Sequence, residues 1–168
     1  GSRVTIIGRN PRFIPEEEPE ISALALRDLK KRITILTNHD VREVEKGPDN
    51  TVRITALNRA TNLEVKVEAG AILVASGRGP NTDILHPELA GIKTDPHGWI
   101  VTNEFLETSQ PGIVAFGDAN GKYMFKHKAN YEAKIAYYNV VLKQKTPVDY
   151  RVIPHAVFTD PEIASVGL

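Results

Sequence analysis

Val4-Thr5-Ile6-Ile7 is a β-branched apolar run closed by Gly8, the pattern of a buried strand. A loop with two prolines, Pro11 and Pro15, leads into the acidic stretch Glu16-Glu17-Glu18-Pro19-Glu20, which opens a helix over about residues 21–31. Acids at its start and Lys30, Lys31 and Arg32 at its end complement the helix dipole, so this charge run reads as a capped, solvated helix. A short strand follows at Ile33-Thr34-Ile35-Leu36, and Val41-Arg42-Glu43-Val44-Glu45 alternates cleanly. Turns at residues 46–50 and 58–62 separate two further alternating runs, 51–57 and 63–67, which together predict a small antiparallel meander. Ala71-Ile72-Leu73-Val74-Ala75 is apolar throughout, as in a strand covered on both faces.

Strand, helix, strand, meander and buried strand, in that order, predict half of an α/β nucleotide-binding unit. Residues 82–112 are rich in Pro and Gly and hold one short strand near Trp99-Ile100-Val101. Ile113-Val114-Ala115-Phe116 is again a buried-strand pattern, ending at Gly117-Asp118. A stretch free of Pro and Gly predicts a long helix over about residues 127–142, and His155-Ala156-Val157-Phe158 begins another strand.

Charge and composition narrow the function. The 168 residues carry 21 Lys+Arg against 21 Asp+Glu, which argues against a nucleic-acid or acidic-membrane partner, because both select a basic face. No apolar stretch approaches the roughly 20 residues that cross a bilayer. The opening Gly1-Ser2-Arg3-Val4 has no signal-peptide core, and the expectation is a cytoplasmic protein. The chain has no Cys, so it holds no disulfide, thiolate metal site or redox dithiol. No catalytic residue and no metal ligand is assigned to it.

Four segments carry candidate chemistry. Gly117-Asp118 puts a carboxylate at the carboxyl edge of a sheet, where open α/β sheets bind ligands. Such a carboxylate can accept hydrogen bonds from a polyol, and glycine permits close backbone approach; a plain turn aspartate is the alternative. Tyr123-Met124-Phe125-Lys126-His127-Lys128-Ala129 leads into the long helix, whose N-terminus offers unpaired N–H groups and partial positive charge. His127 is either part of such a site or a helix-start histidine, and the lysines here read as solvated. Ala75-Ser76-Gly77-Arg78-Gly79-Pro80-Asn81 permits tight backbone paths and a turn. Finally, the position after the second strand of a dinucleotide-binding unit normally carries an acid for the ribose hydroxyls, but here it is Gly8, followed by Arg9. A guanidinium in place of the acid favours a 2′-phosphate, hence NADP(H); a solvent-facing loop arginine is the alternative.

The full string from Thr108 to Asp118 resembles the second flavin-binding motif of the pyridine nucleotide-disulfide oxidoreductases, with branches such as dihydrolipoamide dehydrogenase, mycothione reductase and mercuric reductase. His127-Lys128-Ala129-Asn130-Tyr131-Glu132-Ala133 is similar to the mycothione reductase branch. The resemblance implies a fold made of parts of two Rossmann-like FAD- and NAD(P)-binding three-layer α/β domains with the small β-meander. It divides the chain into 1–81 (NAD(P) domain), 82–150 (returning FAD segment) and 151–168 (start of a dimerisation domain). It implies that Asp118 holds the ribityl chain of FAD, and that Gly117, Met124, Phe125, Lys126, His127 and Ala129 line the flavin, largely through backbone. Gly77 would touch the nicotinamide cofactor, and the Val41 backbone would lie near its adenosine. The implied activity moves electrons between NAD(P)H, FAD and a small dithiol or disulfide substrate in a homodimer; a non-catalytic nucleotide-binding module is the alternative. The glycine fingerprints, the C-x4-C pair and the His-Glu dyad of the family are absent. The expectation is therefore an internal piece of a longer enzyme, inactive alone, with apolar faces left uncovered.

Overall fold

In the computed structural model, which describes residues 1–167, β1 (Thr5–Ile7) and β2 (Thr34–Leu36) lie parallel, with Ile6 opposite Ile35. They are joined by α1 (Pro19–Leu29), which starts two residues before the predicted position. Pro19 explains the early start: its fixed φ suits the first helical turn, and the N–H it lacks would have had no partner there. Ser22 and Ala25 form the buried stripe of α1, and the Ser22 hydroxyl donates to the Phe13 carbonyl of the preceding loop.

β3 (His39–Lys46), β4 (Val52–Asn58) and β5 (Glu64–Ala69) form the expected antiparallel meander, in the order β3-β4-β5. A bulge between Val41 and Glu43 interrupts the β3–β4 register. Ile54 and Ala56 of the central strand are buried. The loop after β1 is sewn to the end of β2 by Gly8 N–H to Leu36 O (2.9 Å), and to the start of the meander by His39 N–H to Gly8 O (3.0 Å) and Asn38 N–H to Asn10 O (2.8 Å). These bonds fix where Gly8 and Arg9 emerge.

α2 (Lys126–Val140) is the long helix, and β6 (His155–Val157) pairs antiparallel with β7 (Ile163–Ser165). α2 ends two residues short of the pattern's limit. Lys143 turns to φ 55°, and Gln144 N–H bonds back to Tyr138 O at 3.0 Å, capping an otherwise unpaired carbonyl. Ile135 and Ala136 of α2 pack with fully buried Leu106, and Val114, Tyr131, Tyr138 and Val148 close around them.

Three expected buried strands differ from the pattern. Residues 71–75 form no strand among the described residues, and Leu73 is 89% exposed. Residues 113–116 make only a single bridge, Glu107 to Val114, and of the four only Ala115 is fully buried. The Val4–Ile7 run does pair, but in a two-stranded sheet that leaves Val4 and Ile6 exposed. The reason is common to all three: an apolar run records a demand for cover, while burial needs neighbouring elements on both faces. The strand near Trp99 is likewise reduced to a bridge, Thr94 to Ile100.

The chain forms two compact units: Gly1–Ala75 with Phe158–Glu162, and Ser76–Val157 with the residues from Ile163 onward. The secondary structure is mixed α/β. No helix among the described residues is long and apolar enough to cross a membrane.

Candidate functional site

The Gly117–Asn120 turn is a single 3-10 turn between the 113–116 segment and the approach to α2. Gly117 holds φ 69°, a left-handed value that disfavours any side chain, and a Cβ there would sit 3.4 Å from Cβ of Ala129 on α2. Two of the residues implied for the flavin therefore meet. At the far end of the turn, Gly121 has φ 71°, and a Cβ there would lie 2.5 Å from Cγ of Trp99. The turn is wedged between the indole and α2.

Asp118 projects from this turn with its side chain 43% exposed, and its carboxylate is ion-paired to the guanidinium of Arg78. Both residues border a cavity of about 600 Å³ that Trp99, Ile100 and Met124 also line. Arg78 lies inside the glycine-rich 75–81 segment, of which the sequence pattern names only Gly77 as a site residue. Its signal was available: a cation flanked by two glycines, in a chain already expected to bind an anionic dinucleotide. Gly77 has φ 106° and is exposed, and apart from its own atoms and its chain neighbours nothing lies within 4 Å of where a Cβ would stand.

Beside the turn, Phe125 precedes α2 in extended conformation, and no side chain caps the helix. The first-turn amides at Lys126, His127 and Lys128 thus carry the partial positive charge of the helix start. The Phe125 ring stacks on His127 (centroids 5.3 Å, 9°) and on His155 (5.7 Å, 6°), so His127 belongs to an aromatic stack. Lys126 is exposed, as expected.

Lys128, expected from the sequence to be solvated, is buried. Its side chain and that of Glu132 are each 0% exposed, and they pair at 3.0 Å. Lys128 Nζ also donates to Gly117 O and to Asn120 Oδ1, both at 3.1 Å. Glu132 accepts the Gly117 N–H at 2.6 Å, the Asn120 side-chain amide at 2.9 Å and the Tyr150 hydroxyl. Burial first, and the Glu132 carboxylate second, push the Tyr150 hydroxyl above its ordinary value, so it remains a donor. The missed signal was spacing: Lys128, Glu132, Ile135 and Ala136 fall at i, i+4, i+7 and i+8, one buried stripe that begins with charge.

In the other unit, Arg9 sits beside β3. Its Nε is 3.2 Å from the Asp40 carboxylate, which also has Arg59 at 3.6 Å and Arg42 at 3.7 Å. Three guanidiniums around one carboxylate leave a surplus of positive charge next to Gly8. Val41, adjacent to Asp40, stands exposed at the bulge.

Comparison with known proteins identifies the family of the chain. Residues 1–133 match the family described as pyridine nucleotide-disulphide oxidoreductase. Over its whole length the chain is 38% identical to a dihydrolipoyl dehydrogenase of Buchnera aphidicola subsp. Schizaphis graminum, covering 35% of that protein. It is 36% identical to a mercuric reductase of Staphylococcus aureus, covering 100% of this chain and 30% of that protein. Among solved structures it superposes on the HOCl-induced flavoprotein disulfide reductase RclA from Escherichia coli, in its Cu(II) complex, with a TM-score of 0.86 and 29% identity. That superposition covers 100% of this chain and 37% of RclA. The chain thus spans about a third of the length of these relatives, and it belongs to the pyridine nucleotide-disulphide oxidoreductase family.

Proposed function

We propose that the protein carrying this chain is an FAD-containing, NAD(P)-dependent reductase of a small disulfide, and that Asp118 holds the flavin's ribityl chain. The observation that carries this reading is the placement of Asp118: a half-exposed carboxylate on a left-handed glycine turn, at the rim of a cavity and next to the start of α2. The donor set fits the group. A carboxylate suits polyol hydroxyls, the Arg78 guanidinium suits a phosphate or holds Asp118 in place, and uncapped helix amides suit electron-rich ring atoms. When bound, FAD carries electrons between a nicotinamide and a disulfide. The residues of this chain bind and orient: Asp118 and Gly117 at the sugar chain, and Met124, Phe125, Lys126, His127 and Ala129 along the flavin.

On this reading residues 1–81 belong to the NAD(P) domain, 82–150 to the FAD domain and 151–168 to the interface of a homodimer. Gly77, Gly8, Arg9 and Val41 serve the nicotinamide cofactor, with Arg9 favouring NADP(H). The chain has no cysteine, so the redox thiols are supplied from elsewhere and these 168 residues alone are inactive. A lipoyl disulfide, suggested by the name dihydrolipoyl dehydrogenase, is the first substrate to assay, and mercuric ion, suggested by the name mercuric reductase, is the competing one.

Asp118→Asn, which keeps the shape of the side chain and removes its charge, tests the reading in the complete protein. FAD affinity, titrated by flavin fluorescence on the apoprotein, is expected to fall about tenfold or more for loss of charged hydrogen bonds. A variant that retains flavin as tightly as the parent sinks the assignment.

A further inference from the structure

The Lys128–Glu132 pair needs an explanation beyond helix packing. Removing two charges from water is costly, and a buried ion pair stabilises a fold no better than apolar residues of the same shape. Ile135 and Ala136 show that this stripe of α2 can pack apolar side chains.

The partners of the pair indicate what it is for. Glu132 takes the N–H of Gly117 and Lys128 takes its C=O, so both backbone polar groups of the residue preceding Asp118 are held by one ion pair. Two residues after Asp118, the side-chain amide of Asn120 is held in the same way, its nitrogen by Glu132 and its oxygen by Lys128. Tyr150 closes the set from the segment that follows α2, donating to the same Glu132 oxygen as the Asn120 amide. All three ammonium protons have acceptors, and both carboxylate oxygens are used. The network grips both sides of Asp118 and leaves its own carboxylate outside, toward the cavity. A left-handed glycine turn has alternative conformations within a few kcal/mol, and a saturated buried network is a means of selecting one.

We propose that Lys128, Glu132 and Tyr150 are positioning residues that lock the Gly117–Asn120 turn, and thereby present the Asp118 carboxylate to the flavin in one fixed geometry. The inference rests on the flavin reading above. Pre-organisation of this kind is read as cofactor affinity, because an unlocked turn must be ordered by the ligand at the moment of binding.

The test is a double-mutant cycle in the complete protein. Tyr150→Phe keeps the ring and removes one hydroxyl. It is paired with Asp118→Asn, with FAD dissociation constants from fluorescence titration of the apoproteins and melting temperatures alongside. Tyr150→Phe is expected to weaken FAD binding about tenfold beside Asp118 and by less than about twofold in the Asp118→Asn background. Equal weakening in both backgrounds, or a lowered apoprotein melting temperature with unchanged FAD affinity, overturns the inference and leaves the network a stabiliser only. If Asp118→Asn alone leaves FAD affinity unchanged, the flavin reading itself fails and takes this inference with it.

Lys128→Met combined with Glu132→Gln is the second variant, because it leaves no unpaired buried charge. It is expected to fold and to bind FAD about tenfold more weakly than the parent. Parental affinity in that protein also overturns the proposal.

Discussion

Arg9 and Asp118 are both surface-accessible charges paired to an opposite charge, but their surroundings differ. Asp118 stands on a turn held from beneath by buried partners, whereas Arg9 has a side chain 74% exposed and shares Asp40 with two other guanidiniums. An exposed pair of that kind adds little stability, since water screens it. Its arginine is therefore available to a phosphate without a large loss elsewhere. Arg9→Ala in the complete protein is expected to lower kcat/KM for NADPH about tenfold, with little change for NADH and no change in melting temperature. A protein that strongly prefers NADH from the outset contradicts the reading of Gly8-Arg9. The sequence alone pointed to Arg9 and Asp118, because a missing acid and a Gly-Asp after an apolar run are local features. Arg78 carried a weaker local signal, a cation between two glycines, and its pairing with a carboxylate 40 positions away is visible only in the structure.

At the scale of elements, α2 connects core and site. Its buried face joins Leu106 through Ile135 and Ala136, and one and two turns earlier the same face carries Glu132 and Lys128 to the Asp118 turn. Leu106 is the fully buried apolar side chain of that cluster. Leu106→Ala is expected to cost about 2–5 kcal/mol, read as a shifted denaturant midpoint, because the surrounding helix and loops cannot collapse fully into the gap. A cost below about 1 kcal/mol would show that α2 does not depend on this cluster. The meander, α1 and α2 were legible in the sequence to within two residues at most ends, because alternation, Pro19 and an uninterrupted helical stretch are local signals. Residues 71–75 and 113–116 were not, because the same apolar composition serves a paired strand and an unpaired one.

For the whole molecule, the balance of 21 basic and 21 acidic residues removes the net repulsion that keeps many proteins apart. At the same time Leu73, Val74, Leu89 and Phe158 stand more than half exposed. The isolated 168-residue chain is therefore expected to self-associate at micromolar concentration and to enhance the fluorescence of a hydrophobic dye, with Leu73→Ser and Val74→Ser together reducing both. A concentration-independent monomer in sedimentation, dark to the dye, is the contrary result. The sequence by itself determined the two helices, the meander, the family likeness and the Gly-Asp at positions 117 and 118. Each is written in neighbouring residues and survives without knowing what packs where. Only the tertiary structure decided that Lys128 is buried, that it pairs with Glu132 under the Asp118 turn, and that Tyr150 completes the network. Helical spacing puts Lys128 on the stripe of Glu132, Ile135 and Ala136, but whether that charge faces water or a partner depends on which distant segments fold over it.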